Sequence, residues 1–186
     1  MPIPASHGAT ERRRINLIQG EAVVDNRPEV VITTLLGSCV AACIRDPEAG
    51  VGGMNHFLLP GEAALDRSGR TQSYGLYLME LLINGLLKKG ARRHALEAKL
   101  FGGARTMEGL SDIGAKNVEF ATRFLATEGI ALTGGSTGGL QGRRIEFWPV
   151  TGRARQILIE PADRRAFVRV PPAVPTVESG GDLELF

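Results

Sequence analysis

Cys39 and His56 are the residues of this chain whose types and spacing allow covalent chemistry. Cys39 closes the run Leu36-Gly37-Ser38-Cys39, where an apolar segment meets a glycine and presents a thiol at the bend. A nucleophile at a strand end, behind small residues, projects clear of its neighbours. Backbone N–H groups nearby then face an incoming carbonyl, which is what acyl transfer needs. A free thiol has a pKa of about 8.5, so reactivity at neutral pH calls for a base or a positive charge beside it. His7 falls in a polar lead-in and His94 in a basic segment, which leaves His56 as the base. Gly37, Ser38 and Asn55 flank the pair and are the candidates for holding the substrate carbonyl and its oxyanion.

Strand parity suggests a third member. If the chain is extended from Thr33 to Cys39, then Thr33, Leu35 and Cys39 share one face and Thr34 takes the other. Thr33 is then placed to orient the imidazole, as third members of triads do. The competing readings are structural. Free cysteines are often buried as small hydrophobes, and Cys43, inside Val40-Ala-Ala-Cys-Ile44, keeps that reading. A zinc site from Cys39, Cys43 and His56 lacks a clear fourth ligand and the paired Cys-x-x-Cys spacing. The glycine runs at 102–103 and 134–139 carry neither the Lys-Ser/Thr ending of a P-loop nor a dinucleotide fingerprint, so they read as turns.

The elements that must position these residues follow from pattern. Residues 1–14 are polar, with prolines and charges, and read as a flexible lead-in; 15–160 reads as a single catalytic domain; 161–186 reads as a peripheral Pro-rich and acidic tail, with a possible edge strand at 166–170. Segments 29–36 and 40–44 are β-branched and apolar, 46–50 has turn composition, and 51–59 is extended again. This hairpin carries Cys39 near its entry and His56 near its exit. Tyr74, Tyr77, Leu78, Leu81, Leu82 and Leu86 form a stripe at helical spacing, read as core, with Ser73 as cap and Gly90 as stop. Leu96 to Phe101 alternates as a strand does. A second helix, capped by Ser111 or Asp112, buries Val118, Ala121 and Leu125 and stops at Gly129. Ile130 to Thr133 is apolar, and 134–139 is too glycine-rich for a regular element. Strands at 144–148 and 156–160 close the domain. The order of elements predicts an α+β fold, a mixed α/β sandwich with mixed or antiparallel sheets flanked by two main helices.

Composition narrows the function classes. Twenty-two basic against 20 acidic residues give a net charge of +2, far from the basic excess of a nucleic-acid binder. No apolar run is long enough to span a bilayer, and the N-terminus lacks the layout of a secretory signal, so the expected compartment is the cytoplasm. Cys39 and Cys43 are too close in sequence for a structural disulfide and are expected reduced.

The blocks Thr33-Thr-Leu-Leu-Gly-Ser-Cys39, Asp46-Pro and Gly53-Met-Asn-His-Phe-Leu-Leu-Pro60 resemble the chemoreceptor glutamine deamidase family, CheD. The similarity continues through Tyr74 and Met79-Glu-Leu-Leu-Ile-Asn84, Ala98-Lys-Leu-Phe-Gly-Gly-Ala104, Ile113-Gly-Ala-Lys-Asn117 and Gly138-Gly-Leu-Gln-Gly-Arg143, from about residue 20 to about residue 156. The resemblance implies Cys39 as nucleophile, His56 as base and Thr33 as third member, with no cofactor or metal. It implies hydrolysis of glutamine side chains on the cytoplasmic helices of methyl-accepting chemotaxis receptors. It places the protein at membrane receptor arrays without inserting it. It also implies a possible CheC-type phosphatase partner, which keeps a non-catalytic binding module as the alternative. Many members carry an aspartate where this chain has Ser136. Cysteine peptidases and transglutaminases share the thioester chemistry and are the nearest enzymatic rivals.

Overall fold

The computed structural model describes residues 12–59, 70–105 and 113–159. Among them are strands β1 (Arg13–Asn16), β2 (Ala22–Asp25), β3 (Val30–Leu36), β4 (Val40–Asp46) and β5 (Val51–Asn55), then helix α1 (Arg70–Lys88). After these come β6 (Glu97–Gly102), helix α2 (Ile113–Thr127), β7 (Ala131–Thr137), β8 (Arg143–Phe147) and β9 (Ala154–Leu158). One sheet has the order β1-β3-β8-β9, the other β2-β5-β4-β6-β7. Each holds one parallel pair, β1 with β3 and β6 with β7, and is otherwise antiparallel.

The two sheets pack face to face. Ile32 and Leu36 of β3 with Ile145 and Phe147 of β8 meet Ala41, Cys43, Met54 and Phe101 of the larger sheet. The opposite face of that sheet, through Val40, Ala42, Ile44 and Val51, receives Leu78, Leu82 and Leu86 of α1 and Phe120 and Leu125 of α2. The result is a sheet, sheet, helix sandwich, the mixed α+β class expected. β4 is covered on both faces, which is why Val40-Ala-Ala-Cys-Ile44 is apolar throughout instead of alternating. Each fully buried leucine of α1 contributes roughly 1.5–3 kcal/mol.

Both helices end as their glycines predict. At Gly90 (φ +95°) the Ala91 N–H bonds Leu86 O and the Gly90 N–H bonds Leu87 O; Gly129 (φ +67°) repeats the pattern with Leu125 and Ala126. This is the Schellman arrangement, open to glycine because the left-handed φ carries no Cβ penalty.

Two expectations are corrected. The inward stripe of α1 is Leu78, Met79, Leu82, Ile83 and Leu86, while Tyr74, Tyr77 and Leu81 are exposed. The i, i+4, i+8 line of leucines wins the core, and the tyrosines fall on its flank. The glycine-rich run after Thr133 is also a regular element in part. β7 continues through Gly134, Gly135 and Ser136 beside β6, with a register shift at Ala98/Lys99. Gly135 has φ +137°, and a Cβ there would lie 1.9 Å from Leu100 O, so the close approach needs glycine. The cap residues Ser111 and Asp112, the lead-in up to Glu11, the strand at 166–170 and the tail lie outside the described residues, as does the Ser73 side chain.

Asp46 ties the β4–β5 hairpin to the rest of the fold. Its buried carboxylate accepts the N–H groups of Glu48, Ala49 and Arg92 and the Arg92 guanidinium. Burial pushes the carboxyl up, but the Arg92 guanidinium and these amides outweigh it and hold Asp46 well below the usual carboxylate range.

Candidate active site

The β4–β5 pairing runs past the end of β5. Val40 and Phe57 exchange both backbone bonds, Val40 N–H to Phe57 O at 3.0 Å and Phe57 N–H to Val40 O at 2.9 Å. The register set by Cys43 opposite Met54 puts Ala41 opposite His56. Cys39 and His56 are therefore diagonal neighbours on one face, close enough for their side chains to meet. That face looks toward the smaller sheet.

His56 is buried, and its Nδ1 lies 2.8 Å from Thr34 Oγ1. The Thr34 hydroxyl donates to Leu17 O, also at 2.8 Å. A threonine has one hydroxyl proton, so with that proton spent on Leu17 the imidazole is the donor at Nδ1 and Nε2 holds the free lone pair. Nε2 is buried and has no hydrogen-bond partner among the described residues. Burial lowers the His56 pKa to about 4, against the opposing pull of the Leu17 carbonyl and Glu21, so the ring is neutral at pH 7.

The orienting contact thus belongs to Thr34 and not to Thr33. Parity separates the two threonines as expected, but the face that meets His56 carries Ile32, Thr34 and Leu36. Thr33 lies on the outer face opposite Glu146, with no hydrogen bond to His56. Residue pattern alone does not say which face of β3 the second sheet covers.

The Cys39 thiol is half-buried; burial pushes its pKa up to about 11, while its own backbone N–H pulls the other way. The thiol's polar contact is Gln19 Oε1 at 3.6 Å. The bend that presents it is held by its carbonyls. Gly37 O accepts the Ala104 N–H at 2.9 Å, Ser38 O accepts Asn117 Nδ2 at 2.8 Å, and Cys39 O accepts the Gly103 N–H at 2.8 Å. With the carbonyls turned away, the N–H groups of Ser38 and Cys39 donate to no other described backbone group. A Cβ at Gly102 (φ +107°) would stand 2.1 Å from Cys39 O, so the Gly102-Gly103 pair permits the approach that fixes the bend.

Asn55 does not join the site. It points to the helix side of the sheet, is fully buried, and spends its amide on the Ala42 N–H, Leu78 O and Met79 Sδ. Three other residues enter that sequence reasoning did not single out for chemistry. Thr34 holds the imidazole and Gln19 reaches the thiol. Buried Asn117 accepts the Leu59 N–H at 2.8 Å while donating to Ser38 O, stapling the bend to the segment after His56. A polar side chain on the buried stripe of α2 was the one available signal for Asn117. Ser136 sits on β7, where its carbonyl and hydroxyl accept Arg143 Nη1 at 2.7 and 3.1 Å. Leu17, Gln19, Thr33, Thr34, His56 and Arg144 are among the residues that line an open cleft of about 530 Å³.

A thiol and a neutral imidazole on one face, with the Ser38 and Cys39 N–H groups donating to no other described backbone group, make this a candidate cysteine-dependent acyl-transfer site. Residues 58–157 match the family model described as "CheD chemotactic sensory transduction". The chain is 57% identical over 174 residues to the "Probable chemoreceptor glutamine deamidase CheD" of Caulobacter sp. (strain K31), covering 93% of each chain. It is 58% identical over 179 residues to the protein of the same description in Acidiphilium cryptum (strain JF-5), covering 94% of each. The chain belongs to the CheD family. Among the described residues no helix is long and apolar enough to cross a membrane.

Proposed function

We propose that this protein hydrolyses glutamine side chains of methyl-accepting chemotaxis receptors to glutamate, releasing ammonia, with Cys39 as nucleophile and His56 as general base. The observation that carries the reading is the 2.8 Å Thr34–His56 contact, which aims a neutral imidazole with a free Nε2 at the face where Cys39 lies. His56 Nε2 takes the thiol proton as Sγ attacks the amide carbon. The N–H groups of Ser38 and Cys39 receive the developing oxyanion, a donor type whose loss costs roughly 2.7–4 kcal/mol. The imidazolium then protonates the leaving nitrogen, because an amide anion is too basic to depart alone. Ammonia leaves, and water activated by the same ring hydrolyses the thioester on Cys39.

The substrate in this reading is a receptor's cytoplasmic helix, which places the protein at receptor arrays and makes it a contributor to adaptation. Incubating receptor cytoplasmic fragments with the protein tests it. Free ammonia and a gain of about one dalton per converted glutamine are the outcome expected of amide hydrolysis through a thioester. Backbone cleavage would instead make it a peptidase, and incorporation of an added amine a transglutaminase. A fragment left unchanged would shift the weight to a binding module acting on a partner such as a CheC-type phosphatase.

A further inference from the structure

The nucleophile's bend offers backbone donors, and the side-chain donor expected from Asn55 faces the wrong way. Gln19 stands in its place. It lies on the turn between β1 and β2, and that turn is tied to every working part of the site. Leu17 N–H bonds Thr33 O at 2.8 Å, and Leu17 O accepts the Thr34 hydroxyl. Gly20 N–H bonds His56 O at 2.8 Å, and His56 N–H bonds Glu21 O at 3.0 Å. Ile18 N–H bonds Glu21 Oε2 at 3.0 Å, closing the turn on itself. Gly20, at φ +91°, makes the reversal possible. The backbone on both sides of Gln19 is thus pinned to the threonine and the histidine, and its carboxamide reaches the sulfur.

We infer that Gln19 is a catalytic residue whose carboxamide Nε2 donates to the oxyanion of the tetrahedral intermediate formed on Cys39. The inference rests on the proposed thioester reaction and adds a donor to it. In the resting protein the thiol is the donor and Gln19 Oε1 the acceptor, as the 3.6 Å contact records. Attack moves the thiol proton to His56 and creates a negative oxygen on the substrate carbon bonded to Sγ. The partner now needed beside the sulfur is a donor. The terminal torsion of glutamine is broad and roughly two-fold, so the carboxamide exchanges Oε1 for Nε2 without moving the turn. Side-chain amides of this kind are among the groups that form oxyanion holes.

The test compares wild type with Gln19→Ala and with Gln19→Glu, which keeps the shape but has no N–H. Two rates are read on each: ammonia release from a receptor fragment, as kcat and KM, and alkylation of Cys39 by iodoacetamide. Alkylation forms no oxyanion, so it reports thiol access and integrity alone. The expected result is a kcat lower by roughly 100–1,000-fold in both variants, with KM near wild type and Gln19→Ala alkylated at the wild-type rate. Unchanged kcat overturns the inference while leaving the deamidase reading in place. So does faster turnover together with faster alkylation in Gln19→Ala, which would make Gln19 a lid over the thiol. A wild-type protein that releases no ammonia from competent receptor fragments removes the deamidase reading and this inference with it.

Discussion

Thr34 Oγ1 on β3 and His56 Nδ1, one residue past the end of β5 in the other sheet, lie 2.8 Å apart, and this contact joins the layers at the site. The Thr34 proton is committed to Leu17 O, so the contact fixes the tautomer as well as the ring plane. Removing the hydroxyl leaves a buried Nδ1–H without its acceptor, which costs roughly 1–3 kcal/mol. Thr34→Val is therefore expected to lower kcat/KM by about 10–100-fold, on the scale where 1.4 kcal/mol is tenfold. Thr33→Val, on the outer face, is expected to fall by far less. Steady-state ammonia release on the two variants checks the order; the reverse order would return the orienting role to Thr33.

The resting site is neutral, with the thiol pKa pushed up to about 11 and the imidazole lowered to about 4. Cys39 alkylation by iodoacetamide should then climb through neutral pH and keep climbing toward about pH 11, with Cys43 buried and unreactive. A plateau already reached near pH 7 would reveal a preformed thiolate–imidazolium pair and contradict this electrostatic picture.

The same shifts set the direction of pH-dependent stability. His56 has a depressed folded pKa, so its contribution is present above its ordinary value of 6.5 and is lost as pH falls through about 4. Asp46 is also depressed; its contribution is present above 3.8 and is lost as pH drops below that value. Cys39 is raised, so its contribution holds below 9.0 and is lost as pH climbs through about 11. Urea midpoints are expected to decline between pH 6.5 and 4, with a shallower decline in His56→Asn over that window.

Asn117 and Asn55 separate support of the site from support of the core. Asn117→Ala releases both Ser38 O and the Leu59 N–H, and each unsatisfied group costs roughly 1–3 kcal/mol. It is expected to lower the urea midpoint and also kcat measured on the folded fraction, because the nucleophile's bend loses its staple. Asn55→Leu is expected to lower stability while kcat on the folded fraction stays near wild type. A large kcat loss in folded Asn55→Leu would restore Asn55 to the site.

Much of this arrangement was legible along the chain. The hairpin that brings Cys39 to His56 follows from two apolar runs and an Asp-Pro turn, and both helix stops follow from their glycines. What remained hidden depends on contacts between layers. Strand parity separates Thr33 from Thr34 but does not say which face the second sheet covers. α1 shows a wide apolar stripe, and only packing chooses Leu78, Met79 and Leu82 over Tyr77 and Leu81. Gln19 reads as an ordinary turn residue until the turn is seen pinned to His56. β7 stayed hidden because a strand of glycines violates propensity, a cost met here by a backbone approach that admits no side chain at Gly135.

The central claim is that Cys39 carries the reaction, and a paired comparison of wild type with folded Cys39→Ala on receptor cytoplasmic fragments tests it most directly. Wild type is expected to release ammonia and add about one dalton per converted glutamine, and Cys39→Ala to do neither while keeping the wild-type unfolding free energy within about 1 kcal/mol. Ammonia release by Cys39→Ala at the wild-type rate would contradict the account, because the other cysteine, Cys43, is buried in the core between the sheets.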